Sequence, residues 1–141
     1  MESYLYVCKN NVGRSQMAMA YHNQVRPGEA ASAGTHVDEP GGIVANWDGG
    51  PVEIIEAMLE DGIDIAENRR TQLTSAAARQ FGRIIIMTEP ELIPDFLGND
   101  ARVDYWPFDD PHGMSLEQTR LVRDQIKNSI GLLVSRLVKV S

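Results

Sequence analysis

Apolar positions along this chain switch between two periods, and the switches mark its elements. Tyr4-Leu5-Tyr6-Val7 is a short continuous run of strand formers, after which Met17, Ala20, Tyr21 and Val25 recur at helical spacing. A strand and a helix are predicted, joined by the polar loop from Cys8 to Ser15. Arg26-Pro27-Gly28 is a turn, and Ala30-Ala31-Ser32-Ala33 runs to Gly34-Thr35 as a short second strand. Residues 36–50 hold four glycines and one proline and read as the least regular stretch. Pro51 then opens a helix at a position where its missing N–H costs nothing; Val52, Ile55, Met58 and Leu59 give the helix an apolar face, and Asp61-Gly62 ends it. Ile63-Asp64-Ile65 leads toward Asn68-Arg69-Arg70, and Thr74-Ser75 can cap a helix ending near Gly82. The run from Arg83 to Met87 has the pattern of a central strand buried on both faces. Glu89-Pro90 starts a short helical or turn segment, Ala101 to Trp106 supplies a fourth strand, and Pro107 to Gly113 is a loop. The cleanest start signal is Ser115 with Gln118 three residues on, a capping box, followed by a core-facing stripe of Val122, Ile126, Ile130, Leu133 and Leu137.

Strands alternating with helices predict an α/β fold of three layers, a parallel sheet with helices on both faces and right-handed crossovers. Ligands bind such sheets beyond the carboxyl ends of the strands. Cys8 follows the first strand and Asp110 the last, so both loops open on one edge of the sheet.

Length and composition narrow the picture. At 141 residues and 43% hydrophobic, the chain suits one core and is expected to form a single domain over residues 1–141. The net charge is −7 and the basic residues are scattered, which argues against nucleic acid as a partner. The apolar runs are too short to cross a bilayer, and Met1-Glu2-Ser3 lacks the basic and apolar regions of a secretory leader, so a cytoplasmic protein with no membrane partner is expected. One cysteine makes neither an internal disulfide nor a multi-cysteine zinc site, and leaves no second thiol in the chain to resolve an oxidised Cys8. Three scattered histidines make no metal site: His22 is expected on the surface of the first helix, and His36 and His112 in loops near the proposed site. The methionines read as core filler.

The chemistry is concentrated in Cys8-Lys9-Asn10-Asn11-Val12-Gly13-Arg14-Ser15. Backbone N–H groups at a helix start have no partners within the helix and carry partial positive charge, so an oxyanion placed there is stabilised. The same field and a neighbouring arginine favour the thiolate, the nucleophilic form of cysteine. Read structurally, Cys8 is a small buried hydrophobe at a strand end; the strand before it, the helix after it and the Asn10-Asn11 pair favour the reactive reading. The loop residues Lys9, Asn10, Asn11, Val12, Gly13 and Ser15 are then candidate oxyanion ligands. Arg14 would bind two equatorial oxygens with its planar fork, and Ser15 would donate its hydroxyl to the sulfur. Asn11, which tolerates a left-handed backbone, and Gly13 are expected to let the loop turn its N–H groups inward. Expelling an alkoxide or phenoxide needs a proton, and Asp110, whose backbone is restricted by Pro111, is a candidate acid; Asp109 is the alternative, and both can equally solvate a turn. Trp47 either lines the pocket mouth or packs on its own domain.

Together these residues resemble the low-molecular-weight protein tyrosine phosphatase family, which includes related arsenate reductases. The resemblance spans nearly the whole chain: the Cys8 to Ser15 loop, Ser32-Ala33-Gly34-Thr35, Gly62-Ile63-Asp64, and Asp110-Pro111 before a C-terminal helix. It implies a four-stranded parallel sheet, a cysteinyl-phosphate intermediate, Cys8 as nucleophile, Arg14 as phosphate ligand and Asp110 as general acid, with no cofactor. The expected ligands are phosphate or arsenate, or a phosphorylated small molecule or protein. Three departures stand out. His112-Gly113-Met114 replace the tyrosines that often follow Asp-Pro in phosphotyrosine phosphatases, whereas Trp106 to Pro111 is similar to the arsenate reductase branch. Met87-Thr88-Glu89 carries none of the extra cysteines of thioredoxin-coupled reductases, so an arsenate reductase here would need an external thiol. The histidine that supports the loop in many phosphatases is replaced around Glu67-Asn68, where Asn68 can substitute as a hydrogen-bond partner. A phosphatase, a thiol-dependent arsenate reductase and a non-catalytic phosphate or phosphoprotein binding module are the three expected functions.

Overall fold

The computed structural model describes residues 3–140, with side chains described to residue 137; Met1 and Glu2, part of the leader reading, lie outside the described residues. Strands β1 (Tyr4–Cys8), β2 (Ala30–Gly34), β3 (Arg83–Ile86) and β4 (Val103–Tyr105) form one parallel sheet in the order β2-β1-β3-β4. Helices α1 (Arg14–Val25), α2 (Val52–Leu59), α3 (Ser75–Ala78) and α4 (Leu116–Val140) complete the chain, with single 3-10 turns at Val44–Asn46, Pro90–Leu92 and Asp95–Leu97. Alternation along the strands builds the layers. Tyr4, Tyr6 and Ile85 pack with Met17 and Tyr21 of α1, Ile54 and Met58 of α2, and Val122, Ile126, Ile130 and Val134 of α4. Leu5, Val7, Ile84 and Ile86 face the other way onto Leu73, Ala78 of α3 and Leu97. The expected three-layer α/β architecture is therefore present.

Several element readings need correction. The fourth strand is confined to Val103–Tyr105. Thr74 does cap α3, accepting from Ala77 N–H at 3.1 Å, but the regular helix ends at Ala78 and tightens into i→i+3 bonds through Phe81 before Gly82 N–H reaches Ser3 O. In α2 the buried face is Ile54, Ala57 and Met58, while Val52 and Leu59 stay about half exposed. Val25, at the end of α1, is 58% exposed. In α4, Val134 is buried where Leu133 and Leu137 pack only partly. The capping box is formed in both directions: Gln118 N–H donates to Ser115 Oγ and Ser115 N–H to Gln118 Oε1, each at 3.1 Å.

His22 is the largest departure. It is fully buried rather than on the helix surface. Its Nδ1 lies 2.7 Å from Tyr6 Oη and its Nε2 2.8 Å from Glu29 Oε1, and Arg26 Nε donates to Glu29 Oε2 at 2.7 Å. Burial pushes the Tyr6 phenol above its usual range. At Glu29 burial acts in the same upward direction, but hydrogen bonds from Arg26 and His22 outweigh it and hold the carboxyl below its usual range. The chain of groups fastens α1 to β1 and to the turn before β2. Replacing His22 by alanine strips partners from two buried polar groups and is expected to cost about 2–3 kcal/mol. Urea denaturation checks this: the midpoint falls with the slope unchanged.

Candidate active site

Cys8 is the last residue of β1, and Arg14 the first of α1, so the loop 9–13 spans the carboxyl edge of the sheet next to the central strand pair. Its carbonyls point outward. Cys8 O and Lys9 O accept from Thr35 and His36 N–H at 2.8 Å each, Asn10 O from Arg70 Nε at 3.2 Å, Asn11 O from Gln16 Nε2 at 3.1 Å, and Gly13 O from Met17 N–H at 2.9 Å. Because C=O and N–H of a trans peptide point opposite ways, the loop amides turn toward the concave side, the arrangement that makes an anion nest.

Asn11 makes this turn with φ 57°, the one positive φ among non-glycine described residues. Its side chain ties the loop as well: Oδ1 accepts from Thr71 N–H at 2.8 Å and Nδ2 donates to Ser15 Oγ at 2.7 Å. Ser15 Oγ in turn lies 3.0 Å from Cys8 Sγ. With Asn11 supplying a donor to the Ser15 oxygen, the serine hydroxyl proton is free to point at the sulfur. Gly13 does not act through a left-handed backbone, as its φ is −103°. A Cβ there would sit 2.9 Å from Pro111 Cγ, so the glycine is needed for the close approach of the Asp-Pro loop. Gly34 has the same role beneath the loop, where a Cβ would meet Lys9 O at 2.6 Å and Asn11 N at 2.9 Å.

Arg14 is buried, with its side chain 2% exposed. Nη1 donates to Met87 O at 3.0 Å, Glu89 Oε1 at 2.9 Å and Phe108 O at 3.2 Å. Nη2 lies 3.5 Å from Asp110 Oδ2. Nε is the only buried side-chain polar atom among the described residues without a hydrogen-bond partner, a donor that an oxyanion would satisfy. Asp110 is oriented by its own turn, His112 N–H donating to Oδ1 at 3.0 Å. Asp109 is exposed and does not line the cavity.

The cavity brings together Cys8, Asn10, Val12, Gly13, Arg14, Asp110, Trp47 and His112, with Ile54 at its side. At about 10 Å³ it has room for no more than about one water molecule. Trp47 is buried and forms an edge contact with His112 at 4.7 Å between ring centroids, and the Arg70 guanidinium lies 5.8 Å from the centroid of its ring. Lys9 is exposed, and His36 is exposed beside Thr35, its Nδ1 2.9 Å from Thr35 Oγ1. A larger apolar groove of about 950 Å³ lies at the far end of α1 against α4, about three helical turns from Cys8, and has neither thiol nor acid in its walls.

No family model matches the chain. A relative from Halobacterium salinarum named "Putative arsenate reductase" is 30% identical over 132 residues, covering 89% of this chain and 85% of the relative. The chain belongs to the low-molecular-weight protein tyrosine phosphatase and arsenate reductase family. Solved structures agree in fold. A low-molecular-weight protein tyrosine phosphatase from T. tengcongensis superposes with a TM-score of 0.81 at 22% identity, covering 96% of this chain and 99% of its own. An arsenate reductase in a phosphate-binding state gives 0.76 at 27% identity, covering 96% and 98%. Membership makes this a cysteine-dependent enzyme chain.

Side chains outside the loop support it. Asn68 reaches the loop through an intermediary: its Nδ2 donates to Gln16 Oε1 at 3.1 Å, and Gln16 Nε2 donates to Asn11 O. Arg70 is almost fully buried, bonded to Asn10 O and paired with Asp38. Gln16, Arg70 and Glu89 carry no sequence signal that separates them from ordinary surface polar residues; only their partners identify them.

Proposed function

We propose that the chain is a phosphomonoesterase working through a cysteinyl-phosphate at Cys8, in a single domain of residues 1–141. The observation that carries this reading is that Cys8, Asp110 and Arg14, whose buried Nε has no partner, line one small cavity at the start of α1. In the first step the Cys8 thiolate attacks phosphorus in line and the P–O ester bond breaks. Asp110 gives its proton to the departing oxygen. Arg14 and the inward amides of Lys9 to Ser15 stabilise the charge on the equatorial oxygens. In the second step water attacks phosphorus, the Asp110 carboxylate takes its proton, and sulfur leaves as thiolate with the Ser15 hydroxyl donating to it. No cofactor or metal enters the scheme. A thiolate that must stay reduced suits the cytoplasm.

A second reading, arsenate reduction, is favoured by the name of the Halobacterium salinarum relative. Here Cys8 attacks arsenic and a hydroxyl leaves as water. An external small thiol then attacks the Cys8 sulfur; the S–As pair stays on arsenic, which departs as arsenite, and Cys8 is left in a mixed disulfide that a second external thiol reduces. The external thiol is obligatory because the chain has one cysteine.

Assaying p-nitrophenyl phosphate across pH, beside arsenate with a panel of small thiols, separates the readings. Saturable, thiol-independent release of nitrophenol is expected. Inertness toward the ester with thiol-dependent arsenite formation makes the chain a reductase. Phosphate binding with neither activity makes it a binding module.

A further inference from the structure

Arg14 has two carboxylates within 4 Å, and they are not equivalent. Glu89 Oε1 meets Nη1 at 2.9 Å, whereas Asp110 Oδ2 stands off Nη2 at 3.5 Å. Glu89 is itself held, its Oε2 accepting from Thr88 Oγ1 at 3.2 Å. Burial raises its pKa, but its own backbone N–H and the Arg14 contact more than offset that, so it is ionised at neutral pH. The Proposed function uses Asp110 and leaves Glu89 without a role.

Resting on that reading, we infer that Glu89 is a positioning residue: it clamps the Nη1 end of Arg14 so that the Nε–Nη2 edge faces the substrate's oxygens. The guanidinium is planar, so fixing one nitrogen and its plane fixes the direction of the other two. Met87 O and Phe108 O also accept from Nη1, but a carbonyl brings no full counter-charge. Without Glu89, Asp110 is the remaining carboxylate within 4 Å of Arg14 among the described residues. The uncompensated arginine then draws Asp110 into a short pair through Nη2. That contact takes half of the binding edge from the oxyanion and draws the acid toward the arginine.

Glu89→Ala is expected to lower kcat/KM for p-nitrophenyl phosphate and to weaken binding of inorganic phosphate, each by about 10–100-fold, the scale of a small misplacement at a reacting centre. Glu89→Gln keeps an acceptor for Nη1 but brings no counter-charge, and is expected to lose nearly as much as Glu89→Ala. In the Arg14→Lys background, where there is no fork to orient, Glu89→Ala has little further effect, a non-additivity that a merely structural residue does not show. The inference is overturned if Glu89→Ala binds phosphate as wild type does, or if its loss is as large in the Arg14→Lys background, or if Glu89→Gln binds phosphate as wild type does. Phosphate titration reads the clamp independently of turnover. A wild-type chain that binds phosphate but hydrolyses nothing ends the esterase reading, and the three phosphate affinities still decide the role of Glu89; a chain that binds no phosphate overturns both.

Discussion

Cys8→Ser is expected to end turnover of aryl phosphates, lowering kcat by about 10⁴-fold or more, as for nucleophile deletions in other covalent enzymes, while inorganic phosphate still binds within a few-fold of wild type. The substitution exchanges sulfur for a smaller oxygen in a buried position already within hydrogen-bond reach of Ser15, so the loop has no reason to move. What changes is the reactive form. An alcohol is a neutral, weak nucleophile at pH 7, and this loop contains no histidine to take its proton. In the proposed mechanism binding relies on different atoms, the loop amides and the Nε–Nη2 edge of Arg14, and these are untouched. Initial rates beside calorimetric phosphate titrations check both halves. Residual activity within about tenfold of wild type would mean that water, not Cys8, attacks phosphorus.

How far the fold could be read from the sequence depended on the range of the interaction involved. The β1–loop–α1 unit is local: strand formers, then a loop with a residue tolerant of φ > 0, then helical spacing, all within 25 residues. The Ser115–Gln118 box is equally local and equally legible. A polar residue on a helix ordinarily faces water, so the sequence alone places His22 on the surface, and what buries it, Tyr6 and Glu29, belongs to other elements. Arg70 illustrates the same limit from the opposite side: a charged side chain is among the largest fully buried ones of the described residues, and its partners lie 32 and 60 residues away. The sequence explains Gly13 by backbone freedom, whereas the structure requires it for the close contact with Pro111, which exists only where the two loops meet. At Asp109-Asp110 the sequence left the acid open. The turn decides which side chain faces the cavity: the His112 N–H holds Asp110 toward Arg14, and the alternation of adjacent residues sends Asp109 to solvent.

That geometry makes Asp110→Asn the more discriminating substitution, with an effect that depends on the substrate. For phenyl phosphate, whose phenoxide is a poor leaving group, kcat/KM is expected to fall by about 10²–10³-fold, within the range for loss of a general acid. For an activated ester such as 2,4-dinitrophenyl phosphate the fall is expected to be less than about tenfold, because that phenolate departs without a proton. Asparagine is nearly isosteric and its side-chain oxygen still accepts from His112 N–H, so the turn, the contact of Pro111 with Gly13 and the loop persist. The proton is what is lost. A plot of log kcat/KM against leaving-group pKa therefore steepens in Asp110→Asn, and Asp109→Asn, altering an exposed carboxylate outside the cavity, leaves it unchanged. An equal loss across all esters would show that Asp110 acts by holding Arg14 rather than by giving a proton. Steepening in Asp109→Asn instead would move the acid one residue along the loop.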